Sequence, residues 1–281
     1  MGREGRRAFR FCRFGGVVAT SLGLAACQTA KTTAPPPELE LTAGSPTNIQ
    51  SLNEVVKSSP RDPGPYNTRG AAFGRAGRFD DALADFTTAV TLDPNFQEAY
   101  ANRGLVYRRM GKFAEALADY NRALQIAPDY VPALVGRGNI YRQTNQAQLA
   151  MADLNEAIRL RPNDAQAHHN RGLLYQAAGQ HQQAVDEFGT AVALDPKAPE
   201  PFAALGQSQL ALGDYKAAAN SFTEVVQRDA QNAQAWANRG LALERMGDRG
   251  EALTSYQHAF ALDKNQQQAR EGILRLGGRI G

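Results

Sequence analysis

The sequence predicts an all-α fold of six stacked helical hairpins, because two sets of small residues repeat with the same period. Glycines recur every 34 residues, at Gly70, Gly104, Gly138, Gly172, Gly206 and Gly240. Alanines follow each glycine twelve residues later, at Ala82, Ala116, Ala150, Ala184, Ala218 and Ala252. A fixed period of this length is typical of repeats that stack on their neighbours.

Each copy predicts two helices joined by a tight turn. In the second copy, Tyr100 and Tyr107 lie on one face of the first helix, and Ala116 and Tyr120 lie on one face of the second. Gly111 falls between the two helices, where the chain needs a positive φ. The small residues of the two helices should allow a close approach that a larger side chain would prevent.

These positions resemble the tetratricopeptide repeat, whose pattern places aromatic residues, a glycine, alanines and a proline at set offsets. The second copy supplies Tyr100, Gly104, Tyr107, Ala116, Tyr120, Ala123 and Pro128. The resemblance implies a right-handed superhelical solenoid, with a concave groove lined by the first helix of each pair. The six repeats are 63–96, 97–130, 131–164, 165–198, 199–232 and 233–266.

Two copies depart from the pattern. The third has Asn145 at the turn where the others have glycine, and asparagine is the next-best residue for a left-handed conformation. The fifth has Gln209 in place of an aromatic residue and Ala230 in place of the closing proline. We therefore expect the fifth copy to have the weakest local stability or to bend the array.

The segments that flank the array are predicted to be terminal caps. In residues 47–62, an apolar stripe of Ile49, Leu52, Val55 and Val56 predicts a helix that covers the first repeat as a half-repeat. Residues 267–281 are predicted to form a solvated capping helix and a tail. Atypical terminal units are expected in arrays of this kind.

Residues 1–26 are predicted to be an export leader. An arginine-rich segment precedes an apolar run of thirteen residues, which is too short to form a permanent transmembrane helix. The sequence Leu24-Ala25-Ala26-Cys27 resembles a bacterial lipobox, which implies that Cys27 is lipidated, for example with palmitate. Gln28 after the cysteine implies the outer membrane, on its periplasmic face. An ordinary leader with an incidental cysteine is the alternative, and Arg6-Arg7 leaves twin-arginine export open beside the general route.

Removing the leader changes what the charge implies. The full chain has 31 basic and 28 acidic residues, and the leader holds five arginines and Glu4, so 26 basic and 27 acidic residues remain. The mature chain has no basic excess that would indicate nucleic-acid binding. Cys12 leaves with the leader, so no disulfide is possible within the mature chain. Residues 27–46 contain Pro35-Pro36-Pro37 and are predicted to be a flexible tether.

A charge pattern recurs beside the glycines. Arg69, Arg103, Arg137, Arg171 and Arg239 immediately precede a ladder glycine, and the first four are followed sixteen residues later by Asp85, Asp119, Asp153 and Glu187. We predict an ion pair between the two helices of each of these repeats. The alternative is two solvated charges.

The sequence contains no motif for catalysis, a metal or a cofactor. It lacks a nucleophile elbow, a phosphate-binding glycine loop and a cluster of metal ligands. His168 and His169 are adjacent on a predicted helix and point in different directions, so they are poor metal ligands as a pair. His168 takes the aromatic position of its repeat and is expected to pack in the core.

The resemblance places a set of polar side chains on the groove face of the first helices. These are Arg75, Asn102, Arg108, Arg109, Asn139, Arg142, Asn170, Asn238 and Arg245. Amides both donate to and accept from a peptide backbone, and arginines favour carboxylates. We therefore expect an extended or acidic partner segment, with a merely solvated face as the alternative. The lysines that some family members use to bind C-terminal carboxylates are missing at these positions.

The resemblance implies a non-enzymatic interaction scaffold on the periplasmic side of the envelope. Similar proteins include adaptors for murein hydrolases and assembly lipoproteins of pilus systems. Two alternatives stay open, a peptidoglycan-associated accessory enzyme and a cytosolic co-chaperone with an uncleaved leader. The partner, the pathway and self-association are not fixed by the sequence.

Overall fold

The computed structural model describes residues 44–280, and these residues form fourteen α-helices and no strand. The leader, Cys27 and the tether as far as residue 43 lie outside the described residues. The helices are α1 (Pro46–Ser58), α2 (Pro63–Arg75), α3 (Phe79–Leu92), α4 (Gln97–Arg109), α5 (Phe113–Ile126), α6 (Val131–Gln143), α7 (Ala147–Leu160), α8 (Ala165–Ala177), α9 (His181–Leu194), α10 (Pro199–Leu212), α11 (Tyr215–Arg228), α12 (Ala233–Arg245), α13 (Arg249–Leu262) and α14 (Gln267–Arg275).

The helices pack as successive hairpins, which confirms the predicted all-α repeat fold. Each even-numbered helix from α2 to α12 packs against the helix that follows it, and each hairpin packs against the next. The even-numbered helices also contact one another, from α2 and α4 through to α12 and α14. Their shared surface is called the inner face below. None of the helices in residues 44–280 is long and apolar enough to cross a bilayer.

The turns within the hairpins depend on a left-handed residue. Gly111 has φ of 74°, and the next residue, Lys112, donates its N–H to the carbonyl of Tyr107 at 2.9 Å. Asn145 adopts φ of 59° in the third copy, where the N–H of Gln146 reaches the carbonyl of Tyr141 at 2.7 Å. The prediction that asparagine preserves this turn is confirmed.

The helices of a hairpin approach closely where the ladder residues meet. A Cβ atom added to Gly104 would lie 3.2 Å from the carbonyl oxygen of Ala116 and 3.2 Å from Cε1 of Tyr120. Ala116 itself is fully buried. A side chain at position 104 would therefore push the second helix away, as the sequence predicted.

The predicted ion pairs are present within the first four repeats. Arg103 donates from Nε to Oδ2 of Asp119 at 2.8 Å and from Nη2 to Oδ1 at 2.7 Å. The two side chains are only 17% and 8% exposed, so the alternative of two solvated charges is wrong. The other members of the set are Arg69–Asp85, Arg137–Asp153 and Arg171–Glu187.

The same arginines also bind the preceding repeat. Arg103 donates from Nη1 to the hydroxyl of Thr87, sixteen residues earlier on α3, at 3.2 Å. Arg137 reaches Asn121 in the same way at 2.7 Å. Each guanidinium therefore connects three helices, two in its own repeat and one in the repeat before. The fifth copy has Leu205 at this position, and its Ser221 bonds to Gln209 instead.

The terminal helices each bury one face. In α1, Ile49 and Val56 are buried against the first repeat, whereas Val55 is 45% exposed. The prediction that Val55 belongs to the buried stripe is wrong, because at about 100° per residue it lies at the edge of the face centred on Ile49 and Val56. In α14, Ala269 and Ile273 are buried, so this helix covers the sixth repeat as well as contacting solvent.

Candidate functional site

Two adjoining pockets lie on the inner face between the second and fifth repeats. The first has a volume of about 200 Å³ and is lined by side chains of α4, α5, α6 and α8. The second, of about 290 Å³, shares part of this lining and extends to α10. Four of the nine predicted groove residues line the first pocket, namely Asn102, Arg108, Asn139 and Asn170.

The asparagines are joined to one another across the repeats. Asn102 donates from Nδ2 to Oδ1 of Asn67 at 2.9 Å, and Asn139 donates from Nδ2 to Oδ1 of Asn170 at 2.7 Å. Asn102 and Asn139 are half-buried. Their amide groups are thus held in a fixed orientation at the pocket wall.

Two of the predicted asparagines are less available than the sequence suggested. Asn170 is 5% exposed, and its Nδ2 donates to the carbonyl of Gln166 at 2.8 Å while its Oδ1 accepts from Asn139. Asn238 is 7% exposed and accepts from Gln234 at 3.0 Å. Both amides therefore form their hydrogen bonds within the chain and are largely shielded from solvent.

Arg108 and Arg142 differ from the arginines that stabilise the repeats, because no carboxylate of residues 44–280 pairs with either of them. Their Nε atoms are buried and have no hydrogen-bond partner in that part of the chain. Arg108 makes one long contact, from Nη1 to Oδ1 of Asn139 at 3.4 Å. Burial lowers the pKa of Arg142, and the positive charge of Arg108 lowers it further.

Of the five predicted arginines, only Arg108 lines the two pockets. Arg75, Arg109 and Arg245 are exposed in the last turns of α2, α4 and α12. Arg109 donates from Nη1 to the carbonyl of Gly74 at 3.3 Å. Arg108 and Arg142 are therefore the two half-buried cations among the five.

Tyr120 is a pocket residue that the sequence analysis treated only as part of the core. Its ring packs beneath Gly104 and is 2% exposed, yet the side chain lines the first pocket together with Arg108. Burial raises the pKa of Tyr120, and the adjacent Arg108 partly opposes that rise. The sequence does contain one indication that Tyr120 has a role beyond the core, because most other copies have phenylalanine at this position.

The histidines of the fourth repeat have separate environments. His168 is buried, with Nδ1 2.8 Å from Glu187 and Nε2 2.9 Å from the carbonyl of Pro162, so its predicted place in the core is confirmed. His169 lines the second pocket and contacts the ring of Phe188. Burial and then the charge of Arg142 lower the pKa of His169. Residues 44–280 contain no cluster of three potential metal ligands.

The inner face changes charge along the array at one repeated position. The residues four places after successive ladder glycines are Arg108, Arg142, Gln176, Leu210 and Glu244. Glu244 accepts from Arg275 at 2.6 Å and from the hydroxyl of Tyr256 at 2.7 Å, and the bond from Arg275 lowers its pKa. The cationic end of this row is therefore unpaired, whereas its anionic end is neutralised within the chain.

Several solved structures share this fold at low sequence identity. The Cut9–Hcn1 structure of the APC/C matches with a TM-score of 0.72 and 19% identity over 83% of this chain, which spans about half, 46%, of that chain. PilF of Pseudomonas aeruginosa matches with a TM-score of 0.68 and 18% identity, over 80% of this chain and 99% of that one. PilW, a type IV pilus biogenesis factor, matches with a TM-score of 0.66 and 19% identity, over 74% and 97%. No curated protein matches the chain in sequence.

Family models match most of the repeat array. Models described as the tetratricopeptide repeat match residues 98–130, 175–241 and 233–266, and one described as the TPR repeat matches residues 75–111 and 138–179. Together they cover about two thirds of the chain. Repeats of this kind form extended surfaces that bind proteins. The chain belongs to the tetratricopeptide repeat family.

Proposed function

We propose that this protein is a non-enzymatic scaffold whose inner face binds an extended segment of a partner protein. The observation that carries the proposal is the convergence of Asn102, Arg108 and Asn139 on adjoining pockets that run from α4 to α10. The pockets follow the row of first helices, so a segment lying in them would contact several repeats at once. Such contacts are the means by which repeat arrays recognise their partners.

The chemistry of the pocket wall suits a peptide backbone. Amide side chains donate to backbone carbonyls and accept from backbone N–H groups, so they hold an extended chain without requiring particular side chains. Asn102 and Asn139 are oriented for this by their bonds to Asn67 and Asn170. Apolar lining from Leu105 offers a surface for neighbouring side chains of the segment.

We also propose that the scaffold acts at the bacterial envelope, in assembly or in peptidoglycan remodelling. The lipobox-like sequence before Cys27 supports lipid anchoring on the periplasmic side of the outer membrane. PilW, one of the structural neighbours, is a pilus biogenesis factor. In this proposal Cys27 fixes the protein to the membrane, and the residues of the tether hold the repeats away from it.

Binding to a random peptide library tests the scaffold proposal. The full-length protein, purified in detergent, would be immobilised and exposed to dodecamers displayed on phage. We expect enriched clones to bind the unaltered protein but not an Asn102→Ala/Asn139→Ala variant that melts at a similar temperature. An Asn95→Ala/Asn163→Ala variant, altered in the turns between repeats, is the matched control and should bind normally. If no clone is enriched, or if both variants bind equally well, the proposed groove is wrong.

A second assay tests the absence of catalysis. The same protein would be incubated with purified peptidoglycan, and soluble fragments would be measured. The scaffold proposal predicts no release above a heat-denatured sample. Release by the protein alone would show that it is an enzyme and would contradict the proposal.

A further inference from the structure

We infer that Arg108 and Tyr120, flanked by Arg142, form a carboxylate subsite at one end of the inner face. The ligand group is the side chain of an aspartate or glutamate, or the C-terminal carboxylate, of the bound segment. The inference rests on the proposed function, because it assumes that a protein segment lies in the groove.

The first argument is the difference between paired and unpaired guanidinium groups. Arg103, five residues before Arg108 on the same helix, makes two short hydrogen bonds to Asp119. Arg108 and Arg142 have buried Nε atoms with no partner in residues 44–280. A half-buried cation without a counter-charge is unfavourable, and two adjacent cations repel each other. A bound carboxylate would relieve both effects.

The second argument is the position of the tyrosine hydroxyl. Tyr120 reaches the pocket from the second helix, whereas Arg108 reaches it from the first. Gly136 on α6 leaves room for the hydroxyl end of the ring, because a Cβ atom added there would lie 2.7 Å from the phenolic oxygen. An O–H group beside a guanidinium offers donors from two directions, which suits the two oxygens of a carboxylate.

The chain supplies no anion of its own at this position. Asp164 lines the same pocket, but its carboxylate accepts from the N–H of Ala167 at 2.9 Å and lies 3.5 Å from Arg161. Asp195 and Glu200 line the second pocket, and both are exposed. Within residues 44–280, none of these three acids forms an ion pair with Arg108 or Arg142.

The charges along the inner face also indicate at which end of the groove the acidic group of the segment binds. Arg108 and Arg142 occupy its cationic end, and Glu244 occupies the same repeat position three copies after Arg142. Glu244 accepts from Arg275, so the anionic end of this row is neutralised within the chain. An acidic group on the segment is therefore expected at the end that contacts the second and third repeats.

The test compares pools of free peptides with the full-length protein. Each pool is a randomised dodecamer with glutamate fixed at one position, and its partner pool has glutamine there; every pool is made with a free or an amidated C-terminus. We expect Arg108→Gln to weaken binding of the preferred acidic pool about tenfold or more, and Tyr120→Phe to weaken it roughly threefold. Lys112→Gln removes a positive charge from the exposed turn of the same repeat and should leave binding unchanged.

The outcomes separate the sources of the carboxylate and the two proposals. Loss of binding on changing glutamate to glutamine supports a side-chain carboxylate, and loss on amidation supports a C-terminal one. Binding that is indifferent to both changes and to Arg108→Gln would overturn the subsite and leave the scaffold intact. Failure of every pool to bind the unaltered protein would overturn both proposals. Melting curves of each variant show whether the array is still folded.

Discussion

A Cβ atom on Gly136 would lie 2.7 Å from the hydroxyl oxygen of Tyr120, so the glycine in the third repeat admits the tyrosine of the second. The relationship recurs at the end of the array, where a Cβ atom on Gly272 would lie 2.6 Å from Cζ of Tyr256. Tyr120 lines the pocket beside Arg108, and Tyr256 donates to Glu244. In both places, the missing side chain lets a phenol reach a charged residue on the inner face.

Replacing Gly136 with alanine should destabilise the protein by about 1–3 kcal/mol, because the new methyl group overlaps a buried ring. Adding Tyr120→Leu should recover part of this loss, since Leu154 of the third repeat and Asn170 of the fourth occupy the equivalent positions. Chemical denaturation of the two single variants and the double variant measures the coupling.

Gly189→Ala is the matched control for this prediction. A Cβ atom there would meet nothing within 4 Å, so the change should stabilise α9 by up to about 1 kcal/mol. Equal effects at positions 136 and 189 would show that the ring of Tyr120 moves aside freely, contrary to the packing described above.

Removing one member of a buried ion pair should be worse than removing both. Asp119→Ala leaves the guanidinium of Arg103 without its carboxylate, and we expect a loss of about 3–5 kcal/mol. The variant Arg103→Met/Asp119→Leu should be more stable than Asp119→Ala, because it leaves no buried charge. Thermal unfolding of the three proteins checks the order.

The exposed pair of Arg159 and Glu156 provides the comparison for the buried pair. Their side chains are 67% and 41% exposed, so Glu156→Ala should change stability far less than Asp119→Ala does. A double variant at positions 103 and 119 that proved less stable than Asp119→Ala would mean that the buried pair is a net source of stability.

The fifth repeat should open more readily than its neighbours. It has Leu205 in place of the arginine that connects three helices elsewhere, and Gly189 stands where the preceding repeats carry Asn or Thr to receive that arginine. We therefore expect faster amide hydrogen exchange in α10 and α11 than in α4 and α5. Equal protection of the two hairpins would show that the missing connection has no local effect.

The cap formed by α14 should weaken in acid. Arg275 lowers the pKa of Glu244 below its ordinary value, so the pair stabilises the fold fully above the unfolded pKa of about 4.3 and loses that effect as the pH falls through the folded pKa. The difference in melting temperature between the unaltered protein and Glu244→Gln should therefore shrink below about pH 4. A difference that stayed constant would contradict the assigned role of the charge.

Lipid attachment should depend on a single side chain. Cells that produce the full chain should incorporate labelled palmitate into the unaltered protein but not into Cys27→Ser, because the lipobox-like sequence places the acceptor thiol at that position. Cys12→Ser is the control and should still be labelled. Labelling that persisted in Cys27→Ser would reject the anchor and favour the alternative of an ordinary leader.

The repeat pattern made the fold predictable because each repeat position has one packing environment. Gly104 and Ala116 predicted the contact between helices, and Asn145 predicted its own left-handed turn. Arg103 and Asp119 could be paired because their spacing recurs in four copies. These features lie within a single repeat, where the period fixes the geometry.

The candidate site was less predictable because it depends on contacts between repeats. The position of Asn170 within a repeat placed it on the groove face, but only its packing on the neighbouring helix shows that it is buried. The repeat position of Tyr120 predicts a core aromatic residue. Its hydroxyl reaches the pocket only because Gly136, in the next repeat, has no side chain to block it. Arg108 has no counter-ion because none of the acids around it pairs with it. This depends on where all of those acids lie, so it cannot be deduced from the residue at any one position of the sequence.

Site-specific photocrosslinking tests the central claim most directly, namely that the inner face holds a partner protein. A photoreactive phenylalanine would be placed in the full-length protein at position 166, which lines both pockets, or at position 190, on the exposed side of α9. Irradiation of cells that produce each protein should yield a discrete protein adduct from position 166 and none from position 190. Adducts only from position 190, or none from position 166, would contradict the account.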